Sequence, residues 1–169
     1  FSNNSLFDTL YLQMRWIGDT LVIQNPYTPL RSSIEVSFKP KTALVNKEKV
    51  QVVCVNGKSP TWLGGKWEGD RLHFRTTELG KFVVATDVTP PKITFLRKTD
   101  EVSFYIQDKE SGIKSYTATL NGEWLLMKYD AKDDFLISER KNKSQPLSGK
   151  FVLQVEDNAG NVAVFERTL

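Results

Sequence analysis

Five aspartates in turn-like settings are the side chains most able to gather into a site. They are Asp87 in T-D-V-T-P-P, Asp108 in D-K-E-S-G, Asp130 and Asp133 in Y-D-A-K-D-D, and Asp157 in E-D-N-A-G-N. A hard cation such as Ca²⁺ takes six to eight oxygens from carboxylates and carbonyls, so loops that brought these groups together would suit it. Asp87, Asp108 and Asp157 are the candidate calcium ligands, and no other cofactor is indicated. Their spacing matches neither an EF-hand nor a nonapeptide calcium repeat. The competing reading is that each aspartate caps its own turn through local hydrogen bonds. D-N-A-G-N suits that role, since Asp and Asn bond the backbone two residues on and Gly160 tolerates a positive φ.

A second candidate is W-L-G-G-K-W, residues 62–67, in which Trp62 and Trp67 flank a glycine pair. Flat aromatic faces on a mobile loop would stack on sugar rings, which makes Trp62 and Trp67 the candidate ligand-binding residues. The alternative is core packing, because tryptophan buries a large apolar area. The stretch lacks the spacing of a P-loop or a dinucleotide fingerprint. Trp124, inside an alternating run, reads as structural, and Trp16 carries no assignment.

Catalytic machinery is not evident. His73 is the sole imidazole and sits between Leu72 and Phe74, as an outward-facing strand residue would. It has no second histidine with which to build a zinc site and no G-x-S-x-G elbow to serve, so the chain reads as a non-enzyme. Paired carboxylates for glycoside hydrolysis stay open, because their separation is not legible. Cys54, the only cysteine, excludes an internal disulfide, and V-Q-V-V-C-V-N reads as a buried strand holding an inert thiol.

The elements that must position these residues are strands. At 169 residues, 40% hydrophobic and 25% charged, the chain has ordinary globular composition. Its net charge of +3 is scattered rather than striped, which argues against a nucleic-acid partner. Apolar runs such as F-V-V-A are strand-sized, so the chain is not expected to span a membrane. A start at Phe1 suggests a processed product or an excised fragment. Nowhere does an apolar pattern of helical period extend, whereas short alternating runs bounded by Gly, Pro, Asn and Asp recur throughout.

The class is therefore all-β. Strands are predicted at 7–15, 19–24, 32–38, 49–55, 71–76 and 81–86, then at 92–97, 101–108, 113–120, 123–129, 134–139, 150–156 and 162–168. Pro90 and Pro91 in T-D-V-T-P-P-K cannot donate to a sheet ladder and mark the boundary. The expected organisation is two tandem immunoglobulin-like β-sandwich domains, 1–88 and 89–169, with a single large barrel as the alternative. Asn121-Gly122 is the strongest hairpin signal. Tracing antiparallel strands up and down places the 108–112, 130–133 and 157–161 loops at the linker end of the second domain. Asn121-Gly122 and the 140–148 loop fall at the other end.

Four segments together resemble one family: D-V-T-P-P-K-I, D-K-E-S-G-I-K-S-Y, L-N-G-E-W-L-L-M-K-Y-D-A-K and V-E-D-N-A-G-N-V-A-V-F. They are similar to the C-terminal immunoglobulin-like region of lysostaphin-type zinc endopeptidases of Bacteroidetes-like bacteria. Weaker matches, I-Q-N-P-Y-T-P-L and L-G-K-F-V-V-A-T-D, extend the likeness into the first half. D-x-x-S-G and D-N-A-G-N recur in many bacterial immunoglobulin-like repeats and alone specify only the fold, whereas their combination with N-G-E-W-L-L-M-x-Y-D is much more specific. The family's zinc ligands, a His, an Asp and one His of an H-x-H pair, have no counterpart here.

The resemblance implies a non-catalytic accessory, binding or positioning module of a peptidoglycan endopeptidase; the alternative is a stand-alone adhesion or glycan-binding module. Expected partners are peptidoglycan, another cell-surface glycan, or the peptidase domain of a parent protein. The expected location is periplasmic, cell-surface or secreted.

Overall fold

In the computed structural model, residues 1–2, 4–42, 44–140 and 146–169 are described. The chain divides into two units, Phe1–Asp87 and Val88–Leu169. Both are built from antiparallel β-sheets, and the described residues contain no α-helix, only a single 3-10 turn at Lys47–Lys49.

The first unit contains β1 (Gln13–Ile17), β2 (Thr20–Gln24), β3 (Ile34–Phe38), β4 (Val50–Cys54), β5 (Thr61–Gly64), β6 (Lys66–Glu68), β7 (Arg71–Thr76) and β8 (Gly80–Thr86). They form a five-stranded sheet, β1-β2-β8-β4-β5, and a three-stranded sheet, β3-β7-β6. The core lies between the two. Leu21, Ile23, Val52 and Phe82 come from one sheet, and Val36, Phe38, Leu72 and Phe74 from the other. Cys54 is buried in it as a free thiol, and burial pushes its pKa up.

The second unit contains β9 (Lys92–Lys98), β10 (Val102–Gln107), β11 (Ile113–Leu120), β12 (Glu123–Leu125), β13 (Met127–Asp130), β14 (Phe135–Ser138), β15 (Lys150–Asp157) and β16 (Val162–Thr168). Its sheets run β13-β14-β10-β9 and β12-β11-β15-β16. Lettered A to G in chain order, with β12 as C′, these are the D-E-B-A and C′-C-F-G sheets of an immunoglobulin-like sandwich. Phe104, Leu136, Phe151 and Leu153 fill the space between them, with Phe104 stacked on Phe151 at 5.4 Å.

Three strand expectations need correction. The strand expected at 7–15 is displaced to Gln13–Ile17, because most apolar side chains before it, such as Phe7 and Tyr11, lie in solvent. W-L-G-G-K-W is not a mobile loop but β5 and β6, with the glycine pair carrying the chain from one sheet to the other. The run at 123–129 is two strands, because the chain changes sheets at Leu126.

One device recurs in both units. The Asn121 side chain accepts from the Lys150 backbone N–H at 2.9 Å and donates to Ser148 O at 3.2 Å, bridging Gly149. A Cβ on Gly149, at φ +121°, would lie 2.0 Å from Asn121 Oδ1. Asn56 does the same across Gly80, at φ +131°, accepting from Lys81 N at 2.7 Å and donating to Leu79 O at 2.7 Å. Only glycine fits either position.

Candidate functional site

The aspartate-bearing turns of the second unit interlock. Asp157 ends β15 with its side chain fully buried, and both of its oxygens accept from Asn161, Oδ1 from the backbone N–H and Oδ2 from the side-chain amide, each at 2.8 Å. Asp108 Oδ1 accepts the backbone N–H groups of Glu110 at 3.1 Å and Gly112 at 2.7 Å. Asn158 ties the two loops together, donating its side-chain amide to Ser111 O at 2.8 Å and its backbone N–H to Gly112 O at 3.0 Å. The chain enters this end of the sandwich as well, since Lys92 pairs with Gln107 and Thr89 Oγ1 donates to Glu110 at 3.3 Å.

Asp87 is the buried residue on which the first unit ends, and its backbone N–H donates to Lys49 O at 2.9 Å. Within the second unit, one oxygen each of Asp108 and Asp157 lies within 4.8 Å of the other. The donor chemistry around Asp108 and Asp157 is that of turn capping: at least three of their four oxygens receive N–H groups from their own loops. Asp130 and Asp133 stand apart from this group, in an open hollow beside Tyr105, Gln107 and Phe135.

Trp62 and Trp67 do not share a face. Trp67 packs against the core of the first unit with the Lys47 ammonium 4.7 Å above its ring. Leu63 is packed against the same core, so its strand neighbour Trp62 points the opposite way. A two-ring platform is therefore absent from W-L-G-G-K-W. His73 faces outward on β7, 3.3 Å from Ser37 Oγ, 3.5 Å from Glu35 and 3.6 Å from Glu68. Ser37 lies directly opposite it in the β3–β7 ladder and accepts from Arg71 Nε at 2.8 Å. Hydroxyl, imidazole and carboxylate are thus adjacent on the outer face of the sheet.

The exposed tryptophan is Trp124. It stands on β12, the outer strand of its sheet, just past the Asn121-Gly122 turn, and 68% of its surface is open to solvent. It lines an open groove of about 740 Å³ together with Asn121, Glu123, Glu139, Arg140 and Pro146. The segment between Arg140 and Pro146, part of the loop expected at this end, lies outside the described residues.

Arg140 is held from below. Its Nε is 3.8 Å from Glu101 Oε2, its guanidinium donates to Asp100 O, and Glu101 is itself fixed by Ser138 Oγ at 2.6 Å. An indole face, two carboxylates and a cation thus converge at one end of the second sandwich. The ring offers apolar stacking area, the carboxylates accept from hydroxyls and the guanidinium donates to carbonyl or carboxylate oxygens. Alternation along the strand suggested a covered Trp124, but alternation reports which residues share a face and is silent on whether that face is covered.

The architecture is that of an all-β protein of two sandwich units, and no described helix is long and apolar enough to cross a membrane. Residues 1–87 match the Zu5-like domain, and the chain belongs to that family. None of the curated proteins matches the chain significantly.

Proposed function

We propose that the chain is a non-catalytic binding and positioning module of a cell-envelope peptidoglycan endopeptidase, and that the Trp124 groove is its contact with wall glycan. The observation that carries this reading is the large indole left open in a groove that Glu123, Glu139 and the anchored Arg140 also line. A lone exposed apolar residue is unremarkable, but an aromatic bordering a polar-lined groove is the composition of a ligand contact. Support also comes from the sequence, since Trp124 belongs to N-G-E-W-L-L-M-x-Y-D, the segment whose combination with the others makes the resemblance specific. In this role the module acts by stacking on a sugar ring while Glu123, Glu139 and Arg140 select its polar substituents.

The test is a titration of the full chain with soluble peptidoglycan fragments, followed by the indole N–H resonances. The expected result is a saturable shift at Trp124 with Trp62 and Trp67 unmoved. No shift at Trp124, or release of cleaved fragments by the chain itself, contradicts the proposal. An H-x-H zinc domain encoded upstream of Phe1 would favour the peptidase module over a stand-alone adhesin.

A further inference from the structure

β1 is an open sheet edge. It is the outermost strand of the five-stranded sheet and pairs only with β2 among the described residues. The two-residue turn Gly18-Asp19 joins the partners Ile17 and Thr20, which makes them the hydrogen-bonded pair that closes the hairpin. Alternation then points the N–H and C=O groups of residues 13, 15 and 17 at β2, and those of 12, 14 and 16 away from it. None of the latter takes a backbone partner among the described residues.

Edges of this kind are usually blunted by lysine, proline or a bulge. This one carries exposed apolar side chains instead. On β1 Met14 is 48% exposed and Ile17 54%, in the two residues just before it Tyr11 is 91% and Leu12 39%, and Arg15 is the only charge between them.

We propose that β1 is a homodimer interface, in which β1 of a second copy adds antiparallel about a two-fold axis at Met14, joining the two five-stranded sheets into one. The sequence Y-L-Q-M-R-W-I is self-complementary in that register. Met14 meets Met14, Leu12 meets Trp16 and Tyr11 meets Ile17, each apolar on apolar. Gln13 meets Arg15, so the charge gains a hydrogen-bonding partner. The outward hydrogen-bonding groups of 12, 14 and 16 are also the ones this register uses, Met14 with Met14 and Leu12 with Trp16. Shifting the axis to Arg15 would oppose two guanidinium groups directly, which cross-strand pairing disfavours. Matching a patch to itself is what a closed two-fold interface requires, and it selects a second copy rather than a foreign strand as the occupant.

The test is sedimentation equilibrium of the full chain across a wide concentration range, with variants in β1. The wild type should dimerise, and Met14→Lys, which places two ammonium groups on the axis, should be monomeric with an unchanged circular dichroism spectrum. Gln13→Glu, facing Arg15 of the second copy, should tighten the dimer at low salt; this arm does not depend on Met14→Lys folding. Under mild oxidation Met14→Cys should cross-link to itself and Ile17→Cys should not, while Cys54 stays buried and unreactive. A wild type that stays monomeric at every concentration, a dimer indifferent to both charge variants, or cross-linking at residue 17 in place of 14 would overturn the proposal.

Discussion

Asp157→Ala removes the acceptor on which the D-N-A-G-N turn closes. Two hydrogen bonds of 2.8 Å from Asn161 reach this buried carboxylate. Bonds to a charged group contribute about 1.5–3 kcal/mol each, so their joint loss is about 3–6 kcal/mol before any relief. Relief comes from no longer burying a carboxylate beside Asp108, which leaves a net loss of about 2–4 kcal/mol. For a unit of this size each kcal/mol lowers the melting point by ~4–8 °C, so the second unit should melt on the order of 10–30 °C earlier. Calorimetry of the full chain reads this, with the transition assigned by the hydrogen exchange of β15 amides. Asp157→Asn keeps one carbonyl oxygen for the Asn161 backbone and should cost roughly half as much. Millimolar calcium should leave the wild-type midpoint in place, since only a ligand that binds the folded state raises it. A shift under ~4 °C for Asp157→Ala, equivalent to less than about 1 kcal/mol, refutes the capping argument, as does a rise of several degrees with calcium.

The two tryptophans of W-L-G-G-K-W should separate by stability. Trp67→Ala is expected to cost about 2–4 kcal/mol in denaturant melts, somewhat below a fully buried ring, and Trp62→Ala clearly less; equal losses would contradict their assignment to opposite faces. Tyr129 supplies a pH dependence: burial, reinforced by the Asp134 carboxylate that accepts its hydroxyl at 3.4 Å, holds its pKa above the ordinary value of about 10. The folded state therefore favours the protonated phenol, so this contribution is intact below pH ~10 and is lost as pH rises through the folded pKa. Urea midpoints at pH 8 and 11 should show a steeper loss for the wild type than for Tyr129→Phe, and identical slopes would refute the coupling.

Much of the second unit was legible because its strands alternate cleanly. Phe151, Leu153 and Val155 fall on the core side of β15, and Asn121-Gly122 forms a hairpin with both residues at positive φ, as the dipeptide implies. W-L-G-G-K-W was less legible, because a glycine pair between aromatics reads equally as a loop or as the corner at which a chain changes sheets. The displaced start of β1 has a related cause. Leu10, Leu12 and Met14 alternate as a strand would, but nothing local says whether a neighbouring strand is there to pair with the residues before Gln13. Trp124 was misjudged for a third reason: its place on an outer strand is a tertiary fact that no window of sequence contains.

The groove is tested most directly by co-sedimentation of the full chain with purified, insoluble peptidoglycan, comparing wild type with Trp124→Ala. Since Trp124 is 68% exposed, its removal should leave the melting curve nearly unchanged. Binding should nevertheless fall by about tenfold or more, equivalent to ~1.4 kcal/mol. Equal binding by the two proteins, or a wild type that does not pellet with the wall at all, would contradict the account.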